Sequence, residues 1–282
     1  MMSNETGRLY VVATPIGNLA DISERALSVL GAVAVIAAED TRHSTTLMRH
    51  FHIGTPMLAY HEHNERDLTP RLIDRLLAGD DMALISDAGT PLISDPGFHL
   101  VRAAHEAGVI VAPVPGASSV MAALSVAGLP TDRFVFEGFP PAKPTARRKC
   151  FEALKHEVRT VVLLESNHRI VDSLTDMNEV FGAERIAVLA RELTKTFETV
   201  RKAPLAELLA WVRADHDQQR GEFVIMIAGA NANTDLAQQK GQIAMSLLMR
   251  ELPARKAAGL AAELTGANKN ALYRWAIEKS PD

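Results

Sequence analysis

Cysteine occurs once in the 282 residues, at Cys150. A lone thiol excludes an intramolecular disulfide and any cysteine-rich metal cluster. An excess of one charge is also lacking. The formal net charge is −4, so bulk charge does not mark a nucleic-acid binder. Long apolar runs are absent: the longest, 32–38, falls far short of the ~20 residues a membrane-spanning helix needs. The start, Met1-Met2-Ser3-Asn4-Glu5-Thr6, has no basic region followed by an apolar core. No secretory signal and no membrane partner are expected, and the expected compartment is the cytoplasm. No G-x-G-x-x-G follows the first apolar run, which disfavours a dinucleotide fold and the common Rossmann-type alternative. His61-Glu62-His63-Asn64-Glu65 fits no zinc spacing, reads as a polar loop before a helix, and leaves the expected metal set empty.

What the chain does contain is centred on residues 83–119. Two short apolar runs, 82–85 and 109–114, read as buried parallel strands. The first leads into Ser86-Asp87-Ala88-Gly89-Thr90-Pro91 and the second into Pro115-Gly116-Ala117-Ser118-Ser119. Between them a helix is expected, capped by Ser94 or Asp95, with Pro96 in its first turn and Gly108 at its end. Gly89 and Gly116 would let a ligand approach the backbone, Pro91 and Pro115 stiffen the turns, and Ser118-Ser119 open another helix. The carboxyl edge of such a sheet is where ligands bind, so the paired loops point to a polar small molecule gripped by main-chain groups.

The remaining chain extends this pattern. Residues 9–13 form a first strand ending in Thr14-Pro15-Ile16-Gly17-Asn18, a third loop of the same kind. Asp21-Ile22-Ser23-Glu24 opens a helix in capping-box style. A strand at 33–37 runs into Ala38-Glu39-Asp40-Thr41-Arg42-His43, a charged cluster at a strand end, where active-site groups sit. After Gly128-Leu129-Pro130, further strands are expected at 134–139, 160–164, 186–190 and 223–228. A Pro-rich basic loop spans 140–149, and from 143 to 159 six basic residues face two acidic ones, a local excess suited to a phosphate-rich substrate. Residues 231–235 read as a polar linker, and the tail has helix-turn-helix rhythm with Arg250, Arg255, Lys256, Lys269 and Arg274. The fold class is therefore α/β: two α/β domains, 1–129 and 130–230, plus a helical domain at 236–282.

The loops resemble those of the tetrapyrrole methylase family, whose two α/β domains bind S-adenosylmethionine in the cleft between them. The resemblance rests on 14–18, on Gly89-Thr90-Pro91 and on Pro115-Gly116-Ala117-Ser118. Thr90 stands where the porphyrin-pathway members usually carry Asp. Together Ala38-Glu39-Asp40-Thr41-Arg42, Ser86-Asp87-Ala88-Gly89-Thr90-Pro91, Glu137-Gly138-Phe139, Arg147-Arg148 and Arg191-Glu192-Leu193-Thr194-Lys195 look like the ribosomal branch, which 2′-O-methylates a decoding-centre cytidine of 16S rRNA.

That resemblance implies S-adenosylmethionine as cofactor, 16S rRNA or the small ribosomal subunit as partner, and a homodimer. It implies cofactor contacts at Pro15, Asp87, Ala88, Gly89, Thr90, Ile93, Pro115, Gly116, Ser118, Ser119, Leu164 and Glu165. Glu39, Asp40, Arg42 and Glu192 are the catalytic candidates. Lys143, Arg147, Arg148, Lys149 and Arg191 are the substrate-binding candidates. Two alternatives are a precorrin-type tetrapyrrole methyltransferase and a non-catalytic RNA-binding protein on the same fold.

Overall fold

In the computed structural model, which describes residues 6–230 and 232–279, two five-stranded sheets lie side by side along the chain. The first consists of β1 (Arg8–Val12), β2 (Val35–Ala38), β3 (Met57–Ala59), β4 (Met82–Ile85) and β5 (Ile110–Val114), in the order β3-β2-β4-β1-β5. Every pairing in it is parallel. Alternate residues of its strands feed two different cores. Val35, Ala37, Met82 and Leu84 pack against Leu72 and Leu76 of α3 (Glu65–Leu77) and Leu100 of α4 (Phe98–Glu106). Ile36, Ala38, Ala83 and Ile85 pack against Leu30 of α1 (Glu24–Ala32) and Leu47 of α2 (Thr41–His50). Burial on both faces explains why these strands read as unbroken apolar runs.

The second sheet is mixed. It contains β6 (Phe134–Gly138), β7 (Thr160–Ser166), β8 (Ile186–Arg191), β9 (Thr199–Pro204) and β10 (Glu222–Ile227), in the order β6-β7-β10-β8-β9. Only β6 and β7 run parallel. One face carries Val161, Leu163, Leu189 and Ile225 under α6 (Pro144–Leu154), α7 (Ile170–Phe181) and α8 (Leu205–Ala214). The other carries Val162, Val188, Val224 and Met226 against Val120, Ala123 and Leu124 of α5 (Ser119–Val126) and against Ile16. This shared core ties the second sheet to the loops of the first. Hydrogen bonds reinforce it: Asn18 N donates to Thr194 Oγ1 at 3.1 Å, and Lys202 Nζ donates to Gly128 O.

Several expectations need correction. The helix after β4 begins at Phe98 behind Gly97, with no side-chain cap, so neither Ser94 nor Asp95 caps it. The basic loop ends at Lys143: Pro144 is the first residue of α6, so Arg147, Arg148 and Lys149 lie on a helix. The linker expected at 231–235 is helical from Ala232, the start of α9 (Ala232–Leu248), and Asn231 lies outside the described residues. With α10 (Ala254–Thr265) and α11 (Lys269–Lys279), α9 builds the helical tail around Met245, Ala258, Ala261 and Leu272. Among the described residues no helix is long and apolar enough to cross a membrane.

Candidate active site

Three backbone segments of the first sheet converge at its carboxyl edge. Thr14 N donates to Gly89 O at 2.8 Å and Gly89 N returns a bond to Thr14 O at 3.1 Å. Thr90 Oγ1 donates to Ala117 O at 3.1 Å. A Cβ on Gly116 would stand 3.0 Å from the Cβ of Ala13, and Gly89 has a φ of +85°. These glycines therefore serve loop-to-loop packing before any ligand is considered. Ser118 caps α5 through the amide of Met121, as expected.

A cavity of about 400 Å³ lies where this edge meets the second sheet. The first sheet contributes Glu39, Asp87, Ala88, Ile93, Asp95 and Ser119; the second contributes Leu164, Ala190, Leu193, Phe223 and Val224. Leu164, Val224 and Ala190 are register partners on three adjacent strands and form a short apolar row. A second cavity of about 300 Å³ shares Ile16, Asp87, Ala88 and Glu222 with the first and extends past Pro15, Gly17, His43 and Lys195. Gly89, Thr90, Pro115, Gly116 and Ser118 line neither space; they hold the loops that do.

The carboxyls of the larger cavity are electrostatically crowded. Burial pushes the Glu39 carboxyl up; a hydrogen bond from the Asp87 amide, at 3.3 Å, opposes this, while the charges of Asp87 and Glu62 add to it. Burial also pushes Asp95 up to about 6, against a hydrogen bond from Ser86 and with added repulsion from Glu39 and Asp87. Asp40 is different. It caps α2 through Arg42 N at 2.8 Å and grips the Arg42 guanidinium at 3.1 and 2.7 Å. That side-chain bond holds its carboxyl far below the usual range, and the Arg42 side chain is 90% exposed. Of the charged cluster after β2, only Glu39 borders the larger cavity.

The candidates in the second sheet divide by strand parity. Ala190 faces the cavity, so Arg191 points to the opposite face; it is buried there and donates to Arg220 O at 3.2 Å. Glu165 lines the larger cavity beside Leu164, with its carboxylate engaged by Ser173 and by Arg169 at 2.7 Å. Glu192, at a φ of 51°, accepts from Lys195 Nζ at 2.9 Å and from Glu222 N at 3.0 Å. Burial alone would raise its pKa, but Lys195 and the Glu222 amide hold it below the usual value. Arg147 is buried against Asp176; Arg148 shares that carboxylate but is 51% exposed, and Lys143 and Lys149 are exposed.

Asp95, Ala190, Phe223, Val224 and Glu222 were not among the sequence-derived site residues. Ala190 was within reach of parity reasoning. The β10 residues were not, because β10 runs antiparallel and brings its amino end to an edge where parallel strands bring their carboxyl ends. Among the described residues no group of three or more His, Cys, Asp or Glu side chains could hold a metal ion.

The chain matches two family descriptions: tetrapyrrole (corrin/porphyrin) methylases over residues 8–209, and the RsmI C-terminal HTH domain over 235–280. Ribosomal RNA small subunit methyltransferase I of Pseudomonas aeruginosa is 58% identical over 275 residues, covering 97% of this chain and 98% of its own. The protein of that name from Escherichia coli O157:H7 is 52% identical over 276 residues, covering 98% and 96%. Among solved structures, a cobalt precorrin-4 methyltransferase superposes with a TM-score of 0.59 at 19% identity, covering 78% of this chain and 94% of its own. Uroporphyrin-III C-methyltransferase from Thermus thermophilus, complexed with S-adenosyl homocysteine, gives 0.54 at 18% identity, covering 79% and 97%.

Proposed function

The chain belongs to the tetrapyrrole methylase family and groups with its ribosomal RNA small subunit methyltransferase I members, and from that premise we propose that it methylates a cytidine ribose 2′-hydroxyl at the decoding centre of 16S rRNA. The methyl donor is S-adenosylmethionine. The relatives support the RNA substrate, and the observation that carries the cofactor's place is the composition of the 400 Å³ cavity: apolar Leu164, Ala190 and Val224 on one wall, carboxyls of Glu39, Asp87 and Asp95 on the other. A flat heterocycle fits the first wall and a cationic sulfonium and ammonium fit the second. When bound, the cofactor supplies an electrophilic methyl group.

The chain's own residues then do three things. Ile16, Asp87 and Ala88, common to both cavities, form the boundary across which the accepting oxygen has to reach. The smaller cavity, with His43, Thr46 and Lys195 along it, takes the target nucleotide. Holding the two reactants in line supplies much of the rate. Outside the cavities, the exposed Arg42, Lys143 and Lys149 contact phosphate, and Arg148 joins them in part. The protein works in the cytoplasm as a homodimer.

The test is to incubate the protein with labelled S-adenosylmethionine and small ribosomal subunits, or with a precorrin, and digest the RNA to nucleosides. Label in 2′-O-methylcytidine is expected. Label in the precorrin would support the tetrapyrrole alternative, and no transfer would support a non-catalytic binder.

A further inference from the structure

The loop after β4 has an unusual backbone. Leu92 and Ser94 both have a φ of 72°, and Gly97 has a φ of 126°. Non-glycine residues persist in that region only where their surroundings hold them. Here the surroundings are tight: a Cβ on Gly97 would stand 2.7 Å from Leu84 Cδ2, and one on Gly138 would stand 3.1 Å from Ser94 Oγ. Asp95 sits inside this contorted stretch. It stands just ahead of α4 yet does not cap it. Instead it borders the larger cavity.

Three other carboxyls near the cleft are engaged by cations. Asp40 is gripped by Arg42, Glu192 by Lys195, and the cavity-lining Glu165 by Arg169 and Ser173. Charged groups facing Asp95 are Glu39 after β2, Asp87 after β4, and Glu222 at the second-sheet rim, the last engaged by Lys195 at 3.0 Å. We propose that Asp95 accepts the ribose hydroxyl proton during methyl transfer, with Glu39 and Asp87 as positioning residues that tune it. This assignment rests on the ribose reading above.

The step balances. The ribose oxygen forms a bond to the methyl carbon as the carbon–sulfur bond breaks, and that electron pair leaves with sulfur. The O–H pair stays on oxygen while its proton passes to the Asp95 carboxylate. A carboxyl poised near 6 is ionised at neutral pH and basic enough to take the proton.

The experiment compares the full-length wild type with Asp95→Asn and Glu39→Gln. It reads nucleoside products, turnover against pH, cofactor affinity by calorimetry, and carboxyl titration of the protein alone by carbon-13 NMR. Asp95→Asn should lower turnover at saturating cofactor at least about a hundredfold, beyond whatever loss of cofactor affinity calorimetry reads, and erase a titration near pH 6. Glu39→Gln removes a neighbouring negative charge, so the acid limb and the titration should both move to lower pH. The Glu39→Gln shift and the wild-type titration stand even if Asp95→Asn fails to fold. An active Asp95→Asn with ribose-labelled wild type overturns this assignment alone. So does an Asp95→Asn that loses cofactor affinity but keeps saturated turnover, or a Glu39→Gln limb that stays in place. Wild-type label outside the ribose overturns the ribose reading and this step with it.

Discussion

Arg147 Nε stands 2.6 Å from Asp176 Oδ2, and the two side chains are only 3% and 4% exposed. The pair clamps α6 to α7, so the first arginine of the basic run is a structural group. Arg147→Ala would leave the buried carboxylate to the half-exposed Arg148 alone and should cost about 2–3 kcal/mol of stability, short of the roughly 3–5 kcal/mol of a wholly unpaired buried charge. Arg148, half in solvent, should cost about 1 kcal/mol or less on the same change. Urea unfolding of both variants measures the difference.

In the proposed function, the exposed lysines that flank this pair contact RNA phosphate. Replacing Lys143 and Lys149 by Ala should lower the slope of log affinity against log salt by roughly 1–2 for small-subunit RNA, since each phosphate contact contributes about 0.7–0.9. The melting temperature should hold. Filter binding across a salt series reads the slope.

Much of this was legible in the sequence, and the misses share physical causes. Strand β4 was readable because buried parallel strands are continuous apolar runs, and Met82–Ile85 matches its expected bounds; β5 was found too, but as a sheet-edge strand with Ile110 and Pro113 exposed, not the buried strand expected. Strand β3 is three residues, Met57-Leu58-Ala59, with no β-branched side chain to mark it. In the site, a one-residue parity separates Ala190, which faces the cavity, from Arg191, which faces the helices behind. Charge draws attention to the second, while the cavity is built from the first. Asp95 was readable only as a helix cap because capping chemistry and cavity chemistry use the same residue type. Composition does not tell which of the carboxylates at a strand end already has a cationic partner, as Asp40 has in Arg42.

Asp40 and Arg42 can be separated by stability. Asp40→Ala removes the α2 cap and should cost about 1 kcal/mol, roughly 2–4 °C for a chain of this size. Arg42→Ala keeps the backbone amide that the cap uses and should melt within about a degree of wild type. Thermal unfolding of the two variants, followed by circular dichroism, gives the comparison.

Asp95 also predicts a pH dependence of stability. Its folded-state carboxyl, near 6, lies above the ordinary value of 3.8. The fold therefore favours the protonated form, and that contribution is complete below about pH 4 and lost as pH rises through 6. Asp95→Asn has no charge to bury. It should be more stable than wild type at pH 8, by at most about 3 kcal/mol and less after solvent screening. The two should converge near pH 4. Melting curves at both pH values read the sign.

The most direct measurement of the central claim is a crystal structure of the protein with S-adenosylhomocysteine. The product should sit in the 400 Å³ cavity, its adenine against Leu164, Ala190 and Val224 and its amino acid end toward Asp87 and Ile93. Density in the smaller cavity beside His43 and Lys195, or away from both sheets, would contradict the account.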